Sequence, residues 1–399
     1  SNPRGVTSEP GITARLVLIL ARLSSSSSSS AEHMNSPLPN PLALTHDAFV
    51  ALSRAQGETH DNASHRYSAF HRSGTPAPGG VVPEPVRVHT TDSPEGSVHK
   101  FLLPVPAKRE DHADPRLRLR LIGEAEHLET ESVVIPMRNH KGVSHTLCVS
   151  SQIGCAMGCT FCETAQMGLI RSLTAEEIVA QWWAARHHLG HDIRNIVFMG
   201  MGEPLDNIDA VIDAIAILTD HRGPSITMRR ITISTVGRLD GIRRLHDQVR
   251  RPGWRGLNLA VSINAPNDAI RSQIMPINRA MPLVDLVDAL KDWPARKNQV
   301  ICCEYVLIPG VNDADEHADE LAALLKDVRC CLNVIPYNPR RDSPWPAPTE
   351  ESVWRFLRRL EANGQFCKRR RTKGRDSMAA CGQLGNERIR NRRLLPTPV

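Results

Sequence analysis

The chain has 399 residues, 41% of them hydrophobic, enough to bury the core of one large α/β domain with a flanking piece. No run reaches the roughly 18–20 apolar residues of a membrane span. Ten cysteines without such a run argue against a secreted disulfide scaffold and fit a reducing cytosol, where clustered Cys points to metal or catalysis.

Residues 1–85 read as a low-complexity, disordered segment, with a serine homopolymer at 24–30 and Pro/Gly punctuation at 74–85. The short apolar patch at 12–23 suits a transit-like or signal-like piece, and an overlong start with Met34 as initiator suits it equally. One short helix is predicted at 47–54. Residues 86–145 read as a small β-rich extension, with strands at 96–103 and 131–136 and a charged surface loop at 108–120. From 146 to 384 helices and strands alternate. Thr174-Ala-Glu-Glu177 is a capping box that opens a helix running to about Leu189. Strands are predicted at 193–198, 230–234, 257–263, 302–307 and 331–335. Helices are predicted at 208–218, from Leu239, from Leu283, at 315–326 and at 349–363. Repeated βα units imply a parallel sheet, with chemistry on the loops at the C-terminal strand ends. Residues 385–399 form a basic tail.

Net charge is +6, and it is uneven. From Glu361 to Val399 ten Lys/Arg face three Asp/Glu, which leaves the rest of the chain near −1. Lys368, Arg369, Arg370 and Arg371 are thus candidate contacts to a phosphate backbone, or simply a solvated tail.

Three cysteines stand in the run Gly154-Cys-Ala-Met-Gly-Cys-Thr-Phe-Cys162. Cys155, Cys159 and Cys162 suit three irons of a [4Fe–4S] cube, leaving one iron open to a ligand. Structural zinc wants a closed set of four, and the nearest downstream histidines, His187 and His188, fall in a predicted helix. Gly200-Met-Gly-Glu-Pro204 ends a strand, and its glycines let backbone approach a ligand closely. It is no dinucleotide fingerprint, because the third glycine position holds Leu205. Cys302, Cys303, Cys330, Cys331 and Cys367 read as buried filler.

The stretch from Thr146 to Arg171, together with Ala379-Ala-Cys-Gly-Gln-Leu384, resembles the RlmN/Cfr family of radical SAM RNA adenine methyltransferases. The resemblance runs from about Asp92 to Leu384. It implies a partial (βα)6 barrel and a [4Fe–4S] cluster on Cys155, Cys159 and Cys162. It also implies two molecules of S-adenosylmethionine per turnover, contacted by Gly202, Glu203, Ser234, Ser262, Ile263, Asn264 and Asn338. Many members carry His where Asn264 stands, so that contact departs from the pattern. Cys381 matches the family's S-methylcysteine, Cys148 its resolving cysteine and Glu131 its proton acceptor, with Glu129 as rival because the linker to Cys148 is longer. An electron-poor ring carbon does not attack a sulfonium methyl, whereas a thiolate does. Hence the implied route: Cys381 is methylated, the methyl loses a hydrogen to a 5′-deoxyadenosyl radical, and the carbon adds to the base. Cys148 then releases the product by forming a disulfide with Cys381. The implied partners are rRNA, with tRNA as a further substrate, an electron donor such as flavodoxin and a thiol reductant. The expected protein is a cytoplasmic monomer.

C2 methylation is expected, and C8 methylation of the Cfr type, conferring ribosomal-antibiotic resistance, stays open. A peptide-modifying radical SAM enzyme would not need both Cys148 and Cys381. A non-catalytic Fe–S or zinc RNA-binding protein would not need Gly202, Glu203 and Ser234. The family usually begins with a helical accessory domain; here that region is unconvincing as a bundle, which shifts the expected RNA grip to the C-terminus.

Overall fold

Parallel strands buried on both faces are usually apolar throughout. In this chain they alternate. Ile231-Thr-Ile-Ser-Thr235 runs buried, half-buried, buried, half-buried, buried, and Cys330-Cys-Leu-Asn starts the same way. One face of the sheet therefore packs on helices while the other meets open space. The computed structural model describes residues 39–107, 127–139, 142–370, 378–380 and 382–385. Cys381, Arg371, the loop at 108–120, the serine run and the tail beyond 385 lie outside the described residues.

In chain order the helices α1 (His46–Ala55) and α2 (His60–Ser73) precede the strands β1 (Arg87–Ser93), β2 (Gly96–Pro106), β3 (His127–Asn139) and β4 (Gly142–Cys148). The short strands β5 (Gln152–Gly154) and β6 (Leu169–Ser172) pair with each other. There follow α3 (Ala175–Trp183), β7 (Ile193–Phe198), α4 (Ile208–Thr219), β8 (Ile231–Thr235), α5 (Leu239–Val249) and β9 (Asn258–Ser262). Then come α6 (Asp268–Ile274), α7 (Leu283–Lys291), β10 (Ile301–Leu307), α8 (Asp315–Leu325), β11 (Cys330–Pro336), α9 (Glu350–Ala362) and β12 (Cys367–Arg369). Among the described residues ten strands make one open sheet in the order β1-β2-β3-β4-β7-β8-β9-β10-β11-β12. The first four pair antiparallel; every pair from β4 to β12 is parallel. Six βα units and a closing strand thus form the partial barrel. Strands β1 to β3 continue the same sheet, so the β-rich extension is not a separate layer.

The chain divides into two compact units. One comprises Ser1–Glu84, Leu173–His191 and Asn207–Thr227; the other holds the remainder, including all twelve described strands. In the second unit the helices present apolar residues at helical spacing. Val353, Phe356, Leu357 and Leu360 of α9 are buried, and Phe356 stacks on Tyr305 of β10 at 5.3 Å.

The first unit corrects the expectation of disorder through residue 85. Among the described residues four helices, α1 to α4, build it. Phe49, Val50, Ala63 and Tyr67 are buried together, and Phe70 stacks on Trp183 of α3 at 5.4 Å. Asp220, just after α4, accepts from the His46 N–H at 2.7 Å. The short helix expected at 47–54 is α1. The second helix escapes a pattern reading because His46, Ser53 and His71 occupy buried positions on α1 and α2. Its apolar partners also come from segments more than 100 residues downstream. The helix predicted from Thr174 to Leu189 is α-helical to Trp183 and then forms a π turn at Ala184–His188. Its capping box forms in full: Glu177 N–H donates to Thr174 Oγ1 at 3.1 Å, and Thr174 N–H to Glu177 Oε2 at 2.9 Å. No helix among the described residues is long and apolar enough to cross a membrane.

Candidate active site at the strand ends

The thiol-bearing loop is set by a tight crossing. Gly154 has φ +73°, and a Cβ there would lie 1.8 Å from the Gly168 carbonyl oxygen, so only glycine fits where the Cys155 N–H reaches that carbonyl at 3.0 Å. The loop then runs from Cys155 to the 3-10 turn Thr164–Met167. Met157, Phe161 and Ala165 pack with Ile274, Met275, Ile308 and Tyr337. Cys155, Cys159 and Cys162 line one pocket, which encloses about 1050 Å³ of empty space, part of it open to solvent. Burial, together with the neighbouring thiols for Cys155 and Cys159, pushes all three thiols above the usual range. The protein by itself therefore favours protonated sulfur, and a cation must supply the drive to thiolate.

Gly202, Glu203, Ser234, Ser262, Asn264 and Asn338 line the same pocket. The ends of β7, β8, β9 and β11 and the thiol-bearing loop thus converge on one space. Ile263 is fully buried beside it, in the core. Gly202 has φ +100°, and a Cβ there would stand 2.5 Å from Gln152 Cβ, so only glycine fits where this turn packs on Gln152. Asn264 adopts φ +57°, a region that Asn tolerates better than most residues. Its amide is committed to the scaffold: Oδ1 accepts from the Val306 N–H at 2.8 Å and Nδ2 faces Met275 Sδ at 3.3 Å.

Glu203 is 2% exposed. Its carboxylate accepts from the N–H groups of Leu205 (3.0 Å) and Val236 (2.9 Å), tying the end of β7 to the end of β8. Burial outweighs these bonds and raises its pKa to about 7. A carboxyl with a raised folded-state pKa gives stability that is fully present below the unfolded pKa and is lost as pH rises through the folded one. Raising the pH of ligand-free protein from 4.5 to beyond 7 should therefore cost up to about 3 kcal/mol from this group. Glu203→Gln should remove that part of the pH dependence. Denaturant midpoints at pH 5, 6, 7 and 8 check this; identical slopes for both proteins would exclude it.

Two residues absent from the sequence reading shape the pocket. Arg271 of α6 is 1% exposed and its guanidinium donates to the carbonyls of Val236 (2.6 Å), Ser262 (3.0 Å) and Ile263 (3.0 Å), pinning the ends of β8 and β9. Glu304 of β10 accepts from Ser234 Oγ at 3.1 Å and from Arg370 at 2.8 Å. A carboxylate at the pocket-facing phase of a parallel strand is the signal that flags it. The basic run is revised accordingly. Arg370 lies in the pocket wall, Arg369 is paired with Glu350, and Lys368 is exposed over the Phe366 ring. Cys303, Cys330 and Cys367 are buried as expected, whereas Cys302 and Cys331 are half-buried on the open face of the sheet.

Cys148 is buried at the end of β4, opposite Val133 and Val197. Glu131, on β3, is 2% exposed and pairs with Lys100 at 2.9 Å. Its Oε2 also accepts from the Gly385 N–H at 3.1 Å. The residues flanking position 381 meet the thiol loop. Glu163 N–H donates to the Gly382 carbonyl at 2.7 Å and Thr164 Oγ1 to the Leu384 carbonyl at 2.6 Å, and both Gly382 and Leu384 line the pocket. The rival Glu129 lies on β3 opposite Pro104.

Residues 149–322 match the model of the Radical SAM superfamily. The probable dual-specificity RNA methyltransferase RlmN 1 of Protochlamydia amoebophila is 44% identical over 279 residues, 70% of this chain and 76% of that protein. The dual-specificity RNA methyltransferase RlmN of Rhodospirillum rubrum is 38% identical over 383 residues, 89% and 82% of the two chains. Among solved structures, a radical SAM methyltransferase from Sphaerobacter thermophilus superposes with a TM-score of 0.73 at 33% identity, covering 86% of this chain and 98% of that one. Membership of such a family implies an iron–sulfur cluster, S-adenosylmethionine and an RNA substrate. The chain belongs to the RlmN family and is a radical SAM RNA methyltransferase.

Proposed function

We propose that this enzyme methylates C2 of an adenine in large-subunit rRNA and in tRNA, through an S-methylcysteine and a transient disulfide. The observation that supports it most is the pocket where three cysteines, the cofactor-type strand ends and two residues just after Cys381, Gly382 and Leu384, converge. Among the described residues no three His, Cys, Asp or Glu side chains surround a point that one metal ion would occupy. Three thiols lining one pocket suit a polynuclear group, each sulfur on a different iron. Cys155, Cys159 and Cys162 would hold the [4Fe–4S] cluster. Gly202, with Glu203, Ser234, Ser262, Ile263, Asn264 and Asn338, would hold the cofactor. When bound, the two groups supply a methyl group and a hydrogen-abstracting radical.

The chain's own residues carry the rest. The Cys381 thiolate takes the methyl group, and after hydrogen loss the carbon bonds to the adenine ring. Glu131 accepts the ring proton, and the one electron that the radical adduct must shed would return to the cluster. The Cys148 thiolate then attacks the Cys381 sulfur. An S–S bond forms, the S–C bond breaks with its electron pair moving to carbon, and that carbon is protonated as the methyl product. The disulfide is reduced by an external dithiol, and a one-electron donor of the flavodoxin class recharges the cluster. The protein acts as a cytoplasmic monomer, with Lys368 and Arg369 at the sheet edge among its RNA contacts.

The test is mass spectrometry of adenosines from rRNA and tRNA of cells with and without this gene. Gene-dependent 2-methyladenosine is expected in both RNAs. Gene-dependent 8-methyladenosine would instead place the enzyme with the Cfr type, and no gene-dependent methyladenosine would overturn the reading.

A further inference from the structure

A second cavity lies on the open face of the sheet. Its volume is about 720 Å³, within the roughly 300–1,000 Å³ of a ligand pocket and enough for a nucleotide. Its lining runs from β3 across β7 to β12, so it spans the concave side of the partial barrel. Met199, Glu304, Ile335, Asn338 and Arg370 line both this cavity and the cofactor-type pocket. The two spaces therefore share one wall.

Two properties define an occupant. The first is charge. Arg138, Arg229 and Arg230 line the cavity and are exposed, against the carboxylates of Glu95 and Glu304. Glu304 is already matched by Arg370 at 2.8 Å, and the lining Arg369 is matched by Glu350. The balance left on the described lining is cationic. The second is polar chemistry without charge. Thr232 and Asn333 point inward from β8 and β11, as do Thr146 and Asn195, which are bonded to each other at 3.1 Å. Amides and hydroxyls on the walls with arginines at the N-terminal strand ends fit a nucleotide segment. Its base and ribose would meet the amides and its phosphates the guanidinium groups.

The geometry points to this cavity as the site that takes the target nucleotide and the RNA backbone beside it, with Arg229 and Arg230 as phosphate contacts. The inference rests on the enzyme's acting on an RNA adenine. A ring atom inside a helix is out of reach of a buried pocket, so the base must leave its stack and enter by an opening. The wall formed by Glu304 and Arg370 is where such a base would meet the cofactor side.

Two variants test it on the full, cluster-loaded enzyme, with a short RNA stem–loop bearing an unpaired adenosine as probe. Arg229→Gln/Arg230→Gln alters exposed side chains and should fold normally. RNA binding should weaken about tenfold or more near physiological salt, and the slope of log K against log salt should fall by about 1.4–1.8, as for two lost phosphate contacts. In turnover KM should rise while kcat changes less than twofold. Asn333→Phe fills the cavity from β11. It should abolish RNA methylation while leaving RNA-independent formation of 5′-deoxyadenosine within twofold of the unaltered enzyme. An unchanged salt slope and KM in the arginine variant, or normal methylation by Asn333→Phe, would overturn the inference. Equal loss of affinity for inorganic polyphosphate and for RNA, with no effect on KM, would also overturn it, marking a general anion surface. The binding arm reads the cavity independently of chemistry. Unaltered enzyme that binds the RNA through these arginines yet methylates nothing would sink the proposed reaction and leave the cavity assignment standing.

Discussion

Cells expressing Cys148→Ala are expected to accumulate the enzyme covalently joined to RNA. The variant retains Cys381, so methyl acceptance, hydrogen loss and addition to the base remain open to it. What it lacks is the thiolate that attacks the Cys381 sulfur, and without that attack the S–C bond to the RNA persists. A ribonuclease-sensitive shift of the protein band is the readout, with methylated product falling about a thousandfold or more, as for loss of other essential nucleophiles. Cys381→Ala should behave differently, with no methyl on protein or RNA and no adduct. A stability effect does not imitate this pair. Cys148 is buried at 7% exposure, and trimming one sulfur from such a site costs on the order of 1 kcal/mol, which lowers yield without creating a covalent bond. Equal inactivity of both variants, with normal folding and iron content and no adduct from Cys148→Ala, would count decisively against the mechanism.

Replacing Cys155, Cys159 or Cys162 by alanine should abolish formation of 5′-deoxyadenosine altogether. Anaerobically reconstituted protein should hold about four irons per chain, and each variant far fewer. The reason lies in the loop. All three thiols are held above their usual pKa by burial, and two of them also by one another, so thiolate character depends on the bound cations. Iron analysis and the electron paramagnetic resonance spectrum of the reduced protein check this. Stoichiometric zinc in place of iron, with no reductive cleavage of the cofactor, would overturn the assignment.

Much of this was legible in the chain itself, where the information is local. The strand predicted at 193–198 is β7, Ile193–Phe198, because the β-branched and aromatic residues Ile193, Ile196, Val197 and Phe198 favour an extended chain. The helices from Leu239 and Leu283 begin at those residues, since amphipathic spacing is a property of consecutive positions. The Cys155–Cys162 spacing and the Gly200–Pro204 turn lie within single loops, so their chemistry needs no knowledge of the fold.

Tertiary structure decided whatever depends on a distant partner. Arg370 reads as one more cation in a basic run until β12 lays it beside Glu304, 66 residues earlier in the chain. A buried ion pair is set by approach in space, which charge patterning along a segment does not encode. Arg271 sits on a short helix that the sequence reading passed over, and it acts through three carbonyls at the ends of other elements and through the Asn278 Oδ1 at 2.9 Å. The helix α2 is not legible in the sequence, because the core it shares with α1 is completed by Trp183 and by the segment around α4, which lie more than 100 residues away in the chain. Burial of His71 there, where Nε2 meets the Pro41 carbonyl at 2.9 Å, holds the imidazole neutral with a pKa lowered to about 4. Composition alone marks that residue as polar; only its surroundings make it part of a core.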